Sequence, residues 1–152
     1  LYSRHPGFYG NFAWWRVYVP RTLVADDDPQ TEPLFCKHLS RLWAQRQEQF
    51  IFAESDERAL EILETGTEFN IALVAIDRER VSGMGLFQKL KNRSLRVPRI
   101  ALTSGEDLAM FRKVMNSGVA DFLTKPFSFE DFTITINRVI RVVERRRRNW
   151  RE

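Results

Sequence analysis

Asp77 directly follows the longest apolar run of the chain, residues 71–76. Three other polar features sit at the ends of short apolar stretches. The acidic triplet Asp26-Asp27-Asp28 follows residues 22–25, Thr103 follows residues 99–102, and Lys125 follows residues 122–124 and precedes Pro126. Carboxylates, a hydroxyl and an ammonium are the parts needed to bind a divalent cation and to accept a phosphoryl group. An exposed carboxylate at a strand end can attack phosphorus and carry the group as an acyl phosphate. Three adjacent carboxylates repel one another unless a cation is near. Mg²⁺ takes oxygen ligands and keeps several waters, so one or two of the triplet together with Asp77 would suffice. The residue before a proline is held extended, which aims the Lys125 ammonium as a point charge toward a carboxylate or a phosphoryl oxygen. The Thr103 hydroxyl can hydrogen-bond the same oxygens. Each residue also has a plainer reading. Asp77 alone is an ordinary turn former, Asp28 reads as the cap of the following helix, and Lys125 as a solvated loop lysine. Their joint placement at strand ends favours a single site, because open α/β sheets bind ligands outside the carboxyl ends of their strands.

The elements that must position these groups are visible as alternating patterns. Residues 22–25, 50–52, 71–76, 99–102 and 122–124 read as strands, the central one apolar throughout, as expected when both its faces are covered. Leu34, Phe35, Leu39, Leu42 and Trp43 fall on one helical stripe. Ala59, Leu60, Ile62 and Leu63 mark a second helix, capped by Ser55 with Asp56 and Glu57 in its first turn. Leu86 and Leu90 mark a third. Leu108, Phe111, Val114 and Met115 mark a fourth, ended near Gly118. A last helix starts after Pro126 with Ser128 as its cap. Five strands alternating with five helices predict an α/β domain, a five-stranded parallel sheet with helices on both faces.

The chain of 152 residues has the length of one ordinary domain, and 43% hydrophobic with 29% charged residues is a globular composition. No apolar run approaches the ~20 residues that span a bilayer, and no signal-peptide pattern opens the chain. One cysteine, Cys36, excludes an internal disulfide framework and suits a reducing cytoplasm. The formal charge of +4 is carried by the two ends, while residues 22–144 are net acidic. A basic face for nucleic acid is therefore not what the charge describes. Residues 1–20 form an aromatic-rich extension with Tyr2, Phe8, Tyr9, Phe12, Trp14, Trp15 and Tyr18. Opening on Leu1, the chain reads as part of a longer one.

Four stretches carry a resemblance: Leu-Val-Ala-Asp-Asp-Asp-Pro at 23–29, Ala-Leu-Val-Ala-Ile-Asp at 72–77 with Gly85 eight residues on, Val-Pro-Arg-Ile-Ala-Leu-Thr-Ser at 97–104, and Gly-Val-Ala-Asp-Phe-Leu-Thr-Lys-Pro-Phe at 118–127. Over residues 21–144 the chain resembles the receiver domain of two-component response regulators. That resemblance implies a flavodoxin-like (βα)5 fold and a regulatory, non-enzymatic role. It implies Asp77 as phosphoacceptor, taking the group from the phosphohistidine of a sensor histidine kinase or a phosphotransfer protein. It implies Mg²⁺ held directly by Asp27 and Asp77, by Asp26 largely through water, and by the carbonyl of Glu79. Lys125 would bind a phosphoryl oxygen, Thr103 would be the switch hydroxyl, and Phe122 the aromatic partner that turns inward on activation. Two positions depart from the family. Arg80-Val81 stand where Met-Pro is usual, and Ser104 stands where Ala is usual. Two other readings remain beside this one. Asp26-x-Asp28 superficially matches the nucleophile motif of haloacid-dehalogenase-type phosphatases, and the domain could be an interaction module that is not phosphorylated.

Phe132, Ile136, Val139, Val143, Arg146 and Trp150 step by three and four, a seam three heptads long. Packing of the last helix on the sheet explains it as far as Val143. Residues 145–152 form a basic helical extension, read as leading toward an output module. The arginine run there reads as a solvated face rather than a nucleic-acid contact. A homodimer through the fourth helix, fifth strand and last helix is the expected association.

Overall fold

The computed structural model describes residues 19–76, 97–105 and 108–149. Within them, five strands form one parallel sheet: β1 Thr22–Ala25, β2 Phe50–Ala53, β3 Ile71–Ala75, β4 Arg99–Thr103 and β5 Asp121–Thr124. Their order is β2-β1-β3-β4-β5, the flavodoxin-like arrangement, which reverses direction between β1 and β3 and opens a crevice at their carboxyl ends. The described helices are α1 Thr31–His38, α2 Ser40–Arg46, α3 Asp56–Glu64, α4 Leu108–Asn116 and α5 Phe129–Asn149.

Successive strand residues point to opposite faces, and the apolar residues divide accordingly. Val24, Ile71, Leu73, Ile100, Leu102 and Leu123 join Phe35, Leu39 and Leu42 with Phe132, Ile136 and Val139 of α5. Leu23, Ala25, Ala72, Val74, Ile76 and Ala101 join Ala59 and Leu60 of α3 and Val114 of α4. The first face is aromatic. The Phe35 ring meets Phe50, Phe52 and Phe127 at centroid distances of 5.5, 5.4 and 5.1 Å. Each such pair adds about 0.5–1.5 kcal/mol beyond burial.

The helix termini follow the sequence in two places and depart in two. Ser55 caps α3, its hydroxyl accepting the Arg58 N–H at 3.1 Å. Ser128 accepts the Asp131 N–H at 3.0 Å at the start of α5. Caps of this kind contribute about 1 kcal/mol. The stripe Leu34 to Trp43, expected on one helix, spans two. Leu39 takes φ −113° and ψ 30° between α1 and α2. Its N–H still donates to Phe35 O, and its carbonyl still accepts from Trp43 N–H. Asp28 is not the cap of α1. Gln30 occupies that position without a side-chain bond, and Asp28 instead accepts the Gln30 N–H at 2.9 Å, ahead of the first helical turn. The chain turns at Asp28-Pro29 before the helix begins, which draws the carboxylate away from the first-turn N–H groups. Gly118, after α4, has φ +87°, a left-handed conformation that suits glycine at a helix end. The expected helix at Leu86 and Leu90, the segment 1–18 and Trp150 lie outside the described residues.

Candidate functional site

Asp26 is the first residue after β1, and its N–H donates to Ala53 O of β2 at 3.0 Å. That bond carries the β1–β2 pairing to the carboxylate itself. Lys125 is the first residue after β5, and its N–H donates to Thr103 O at 2.6 Å. The Lys125–Pro126 bond is cis. Strands β3 and β4 lie between β1 and β5, so the lysine side chain crosses the ends of two strands. Its ammonium reaches Asp26 Oδ2 at 2.8 Å and Asp28 Oδ2 at 3.7 Å. Two groups 99 positions apart in sequence thus form one ion pair, with side-chain exposures of 12% for Lys125 and 1% for Asp26.

Asp26 is held from three directions. Thr31, the first residue of α1, donates its hydroxyl to Oδ2, the Asp28 N–H donates to Oδ1 at 3.0 Å, and the Lys125 ammonium donates to Oδ2 at 2.8 Å. Burial pushes the Asp26 carboxyl up, but the hydrogen bonds from Lys125, Thr31 and Asp28 and the lysine charge outweigh it. Its pKa lies below the ordinary value, and the carboxylate is ionised at neutral pH. A buried carboxylate engaged by three donors has no free approach to an electrophile, which argues against Asp26 as a nucleophile.

Thr103 closes β4 and is 3% exposed. Its hydroxyl lies 3.4 Å from that of Thr124, its register partner on β5. Phe122 is 38% exposed, its ring 5.1 Å from that of Phe111 on α4. Asp77 and Glu79 lie outside the described residues. The ladder leading to Asp77 is in place, since the Ile76 N–H donates to Leu102 O at 2.8 Å and Ile76 is buried. The structure therefore brings Asp26, Asp28 and Lys125 together, with Thr103 and Thr124 paired at the neighbouring strand ends.

The metal expected from the resemblance fits the described donors in part. Asp26 is an ionised oxygen donor, and Asp27 beside it is exposed, the chemistry that a hard divalent cation prefers. Among the described residues no three acidic, histidine or cysteine side chains form a metal cluster by themselves. The other expected ligands, Asp77 and Glu79, lie outside the described residues. The sequence reading missed Thr31 and Thr124. A hydroxyl residue opening the helix five positions after Asp26 was the available signal for the first. Adjacency to Lys125 was the signal for the second.

A family model for the response regulator receiver domain matches residues 22–137. Among curated proteins, the chain is similar to the heme response regulator HssR of Staphylococcus aureus (strain JH9), 33% identical over 119 residues that cover 78% of this chain and 50% of the relative. The chain spans about half the length of the curated relatives it matches. Among solved structures, it is similar to a receiver domain of a Francisella response regulator, with 23% identity, a TM-score of 0.65 and coverage of 82% of this chain and 99% of the other. It is similar to the chemotaxis protein CheY4 of Vibrio cholerae, with 18% identity, a TM-score of 0.66 and coverage of 80% and 99%. It is also similar to NtrX of Brucella abortus, with 18% identity, a TM-score of 0.72 and coverage of 86% and 29%. At these identities the structural likenesses show the fold.

Proposed function

The chain belongs to the response regulator receiver domain family, and on that premise we propose that it is a phosphorylation-driven switch with Asp77 as its acceptor. The observation that supports this reading is the Lys125–Asp26 pair at 2.8 Å, a buried carboxylate with a largely covered ammonium, at the carboxyl ends of the strands that flank β3 and β4. In the proposed step an Asp77 carboxylate oxygen forms a bond to phosphorus. The bond from phosphorus to the donor's imidazole nitrogen breaks, and the imidazole keeps the electron pair and takes a proton. Asp27 and Asp77, with the Glu79 carbonyl and Asp26 through water, would hold Mg²⁺. Bound there, it supplies positive charge to the phosphoryl oxygens. Lys125 leaves Asp26 to meet a phosphoryl oxygen as a point charge. The module acts in signalling, receiving its group from a sensor kinase or phosphotransfer protein and controlling an output domain.

The test is uptake from a small phosphodonor. With acetyl phosphate and Mg²⁺, the intact mass is expected to show one added phosphoryl group per chain, and none when a chelator is present from the start. No uptake at any Mg²⁺ concentration would leave the domain an interaction module without phosphorylation.

The readout runs through Thr103 and Phe122. An acyl phosphate adds about one further negative charge and strong acceptor oxygens, and Thr103 moves to donate to one of them. The space it vacates admits the Phe122 ring, which stands outward at 38% exposure and has no hydroxyl to bury. The face that changes is formed by α4, β5 and α5, where Met115, Phe122, Ile134 and Val142 are exposed apolar side chains. We expect beryllofluoride with Mg²⁺, a phosphoryl mimic, to raise the sedimentation coefficient by self-association on that face. Thr103→Ala should remove the shift. An unchanged coefficient in the wild-type chain would rule out association on activation, and a shift in Thr103→Ala equal to wild type would rule out this route. Among the described residues no helix is long and apolar enough to cross a membrane.

A further inference from the structure

Thr31 is buried at 2% exposure, yet it is polar, and its hydroxyl is spent on Asp26. It donates to Oδ2, the same oxygen that receives the Lys125 ammonium at 2.8 Å. The two donors differ in how they are held. The Lys125 ammonium ends a flexible four-carbon stem. Thr31 is β-branched and stiff at χ1, it opens α1, and its N–H donates to Asp28 O at 3.1 Å. One donor on Asp26 is therefore able to leave, and the other is fixed in the fold.

Resting on the receiver reading, we infer that Thr31 is a positioning residue that keeps Asp26 satisfied when Lys125 transfers to the phosphoryl group. A carboxylate with 1% side-chain exposure cannot replace a lost ammonium with bulk water. Loss of the Thr31 hydroxyl together with Lys125 would take from Oδ2 both of the hydrogen bonds described above, a costly change for a buried charge. The Thr31 hydroxyl remains on Oδ2 in both states. It thereby weakens the hold of Asp26 on Lys125 and favours the state in which the lysine faces the phosphoryl oxygen. Thr31 touches neither phosphorus nor metal in this account and acts only through Asp26.

The experiment compares two equilibria in wild type, Thr31→Val and Thr31→Ser, each measured by calorimetric titration with the 152-residue chain. The first is Mg²⁺ alone, where Lys125 stays on Asp26 before and after binding. The second is beryllofluoride at saturating Mg²⁺, where Lys125 must transfer. Valine keeps the branched shape and removes the hydroxyl. Thr31→Val is expected to weaken beryllofluoride binding about ten-fold, the scale of one hydrogen bond to a charged group. Its Mg²⁺ affinity should change by less than about two-fold, because the Asp26–Lys125 pair is common to both sides of that equilibrium. Thr31→Ser should restore beryllofluoride binding. Equal loss in both titrations would overturn the inference and make Thr31 a general support of the acidic cluster. So would beryllofluoride binding in Thr31→Val equal to wild type, or a serine variant as weak as valine. Failure of wild type to bind beryllofluoride would instead overturn the proposed phosphorylation, and this inference with it.

Discussion

Asp77→Asn is expected to take up no phosphoryl group under conditions that label the wild-type chain to one group per molecule. The amide has no anionic oxygen to attack phosphorus and cannot form the acyl phosphate. The competing carboxylates are worse placed. Asp26 has a side chain 1% exposed and three donors on it, and its pKa is depressed by those donors, which lowers its nucleophilicity. Asp28 lies 3.7 Å from the Lys125 ammonium and also accepts the Gln30 N–H. Asp77 follows Ile76, whose N–H completes the β3–β4 ladder. The measurement is intact mass after acetyl phosphate and Mg²⁺, followed by peptide mapping after borohydride reduction of the acyl phosphate. A fully labelled Asp77→Asn would overturn the assignment. Label mapped to Asp26 would favour the phosphatase-like reading.

The sheet was legible because parallel strands covered on both faces read as short apolar runs, most fully in β3, which is buried at every position. All five described strands fall within about a residue of the apolar runs at 22–25, 50–52, 71–76, 99–102 and 122–124. That Lys125 meets a carboxylate was legible for a different reason, since strand ends gather on one edge of a parallel sheet whatever their separation in sequence; which carboxylate, Asp26 99 positions away, was shown only by the fold. The break at Leu39 was hidden by the same kind of pattern. Leu39 is 1% exposed, and its stripe continues through the junction. Apolar periodicity records which side chains are covered, not whether the backbone bonds run on unbroken, and no glycine or proline marks the site. Asp28 misled because an acidic residue before a helix usually caps it. Here the turn at Pro29 separates them by two residues, and the freed carboxylate faces Lys125 instead. Thr31 was missed because its polarity looks ordinary at a helix start. Only the fold shows that its hydroxyl points back to Asp26.

The Lys125–Asp26 pair sets the second large effect, on stability rather than phosphorylation. Lys125→Met keeps an unbranched stem of similar length and removes the ammonium. Breaking a buried pair from one side typically costs about 3–5 kcal/mol, because it strands the other charge. We expect about 3 kcal/mol at pH 7 in the presence of chelator, the lower end, because Thr31 and the Asp28 N–H stay on Asp26. The loss should depend on pH in a definite direction. The Asp26 pKa in the fold lies below its ordinary value. Its contribution is therefore fully present above the unfolded carboxylate pKa of about 3.9 and disappears as pH falls through the depressed folded value. Without the ammonium, burial is opposed by fewer groups, and the carboxyl of the variant titrates higher than in wild type. On acidification the variant is relieved first, by protonating Asp26, and the wild type then loses its ion pair. The gap between the two should be widest at neutral pH and close toward acid. Urea denaturation of both proteins across that range measures it. A variant as stable as wild type at pH 7 would show that the pair contributes nothing net. A gap that persists unchanged in acid would show that the lysine stem, and not its charge, supports the fold. Either result would also remove the charge balance from which the proposed transfer of Lys125 to a phosphoryl oxygen starts.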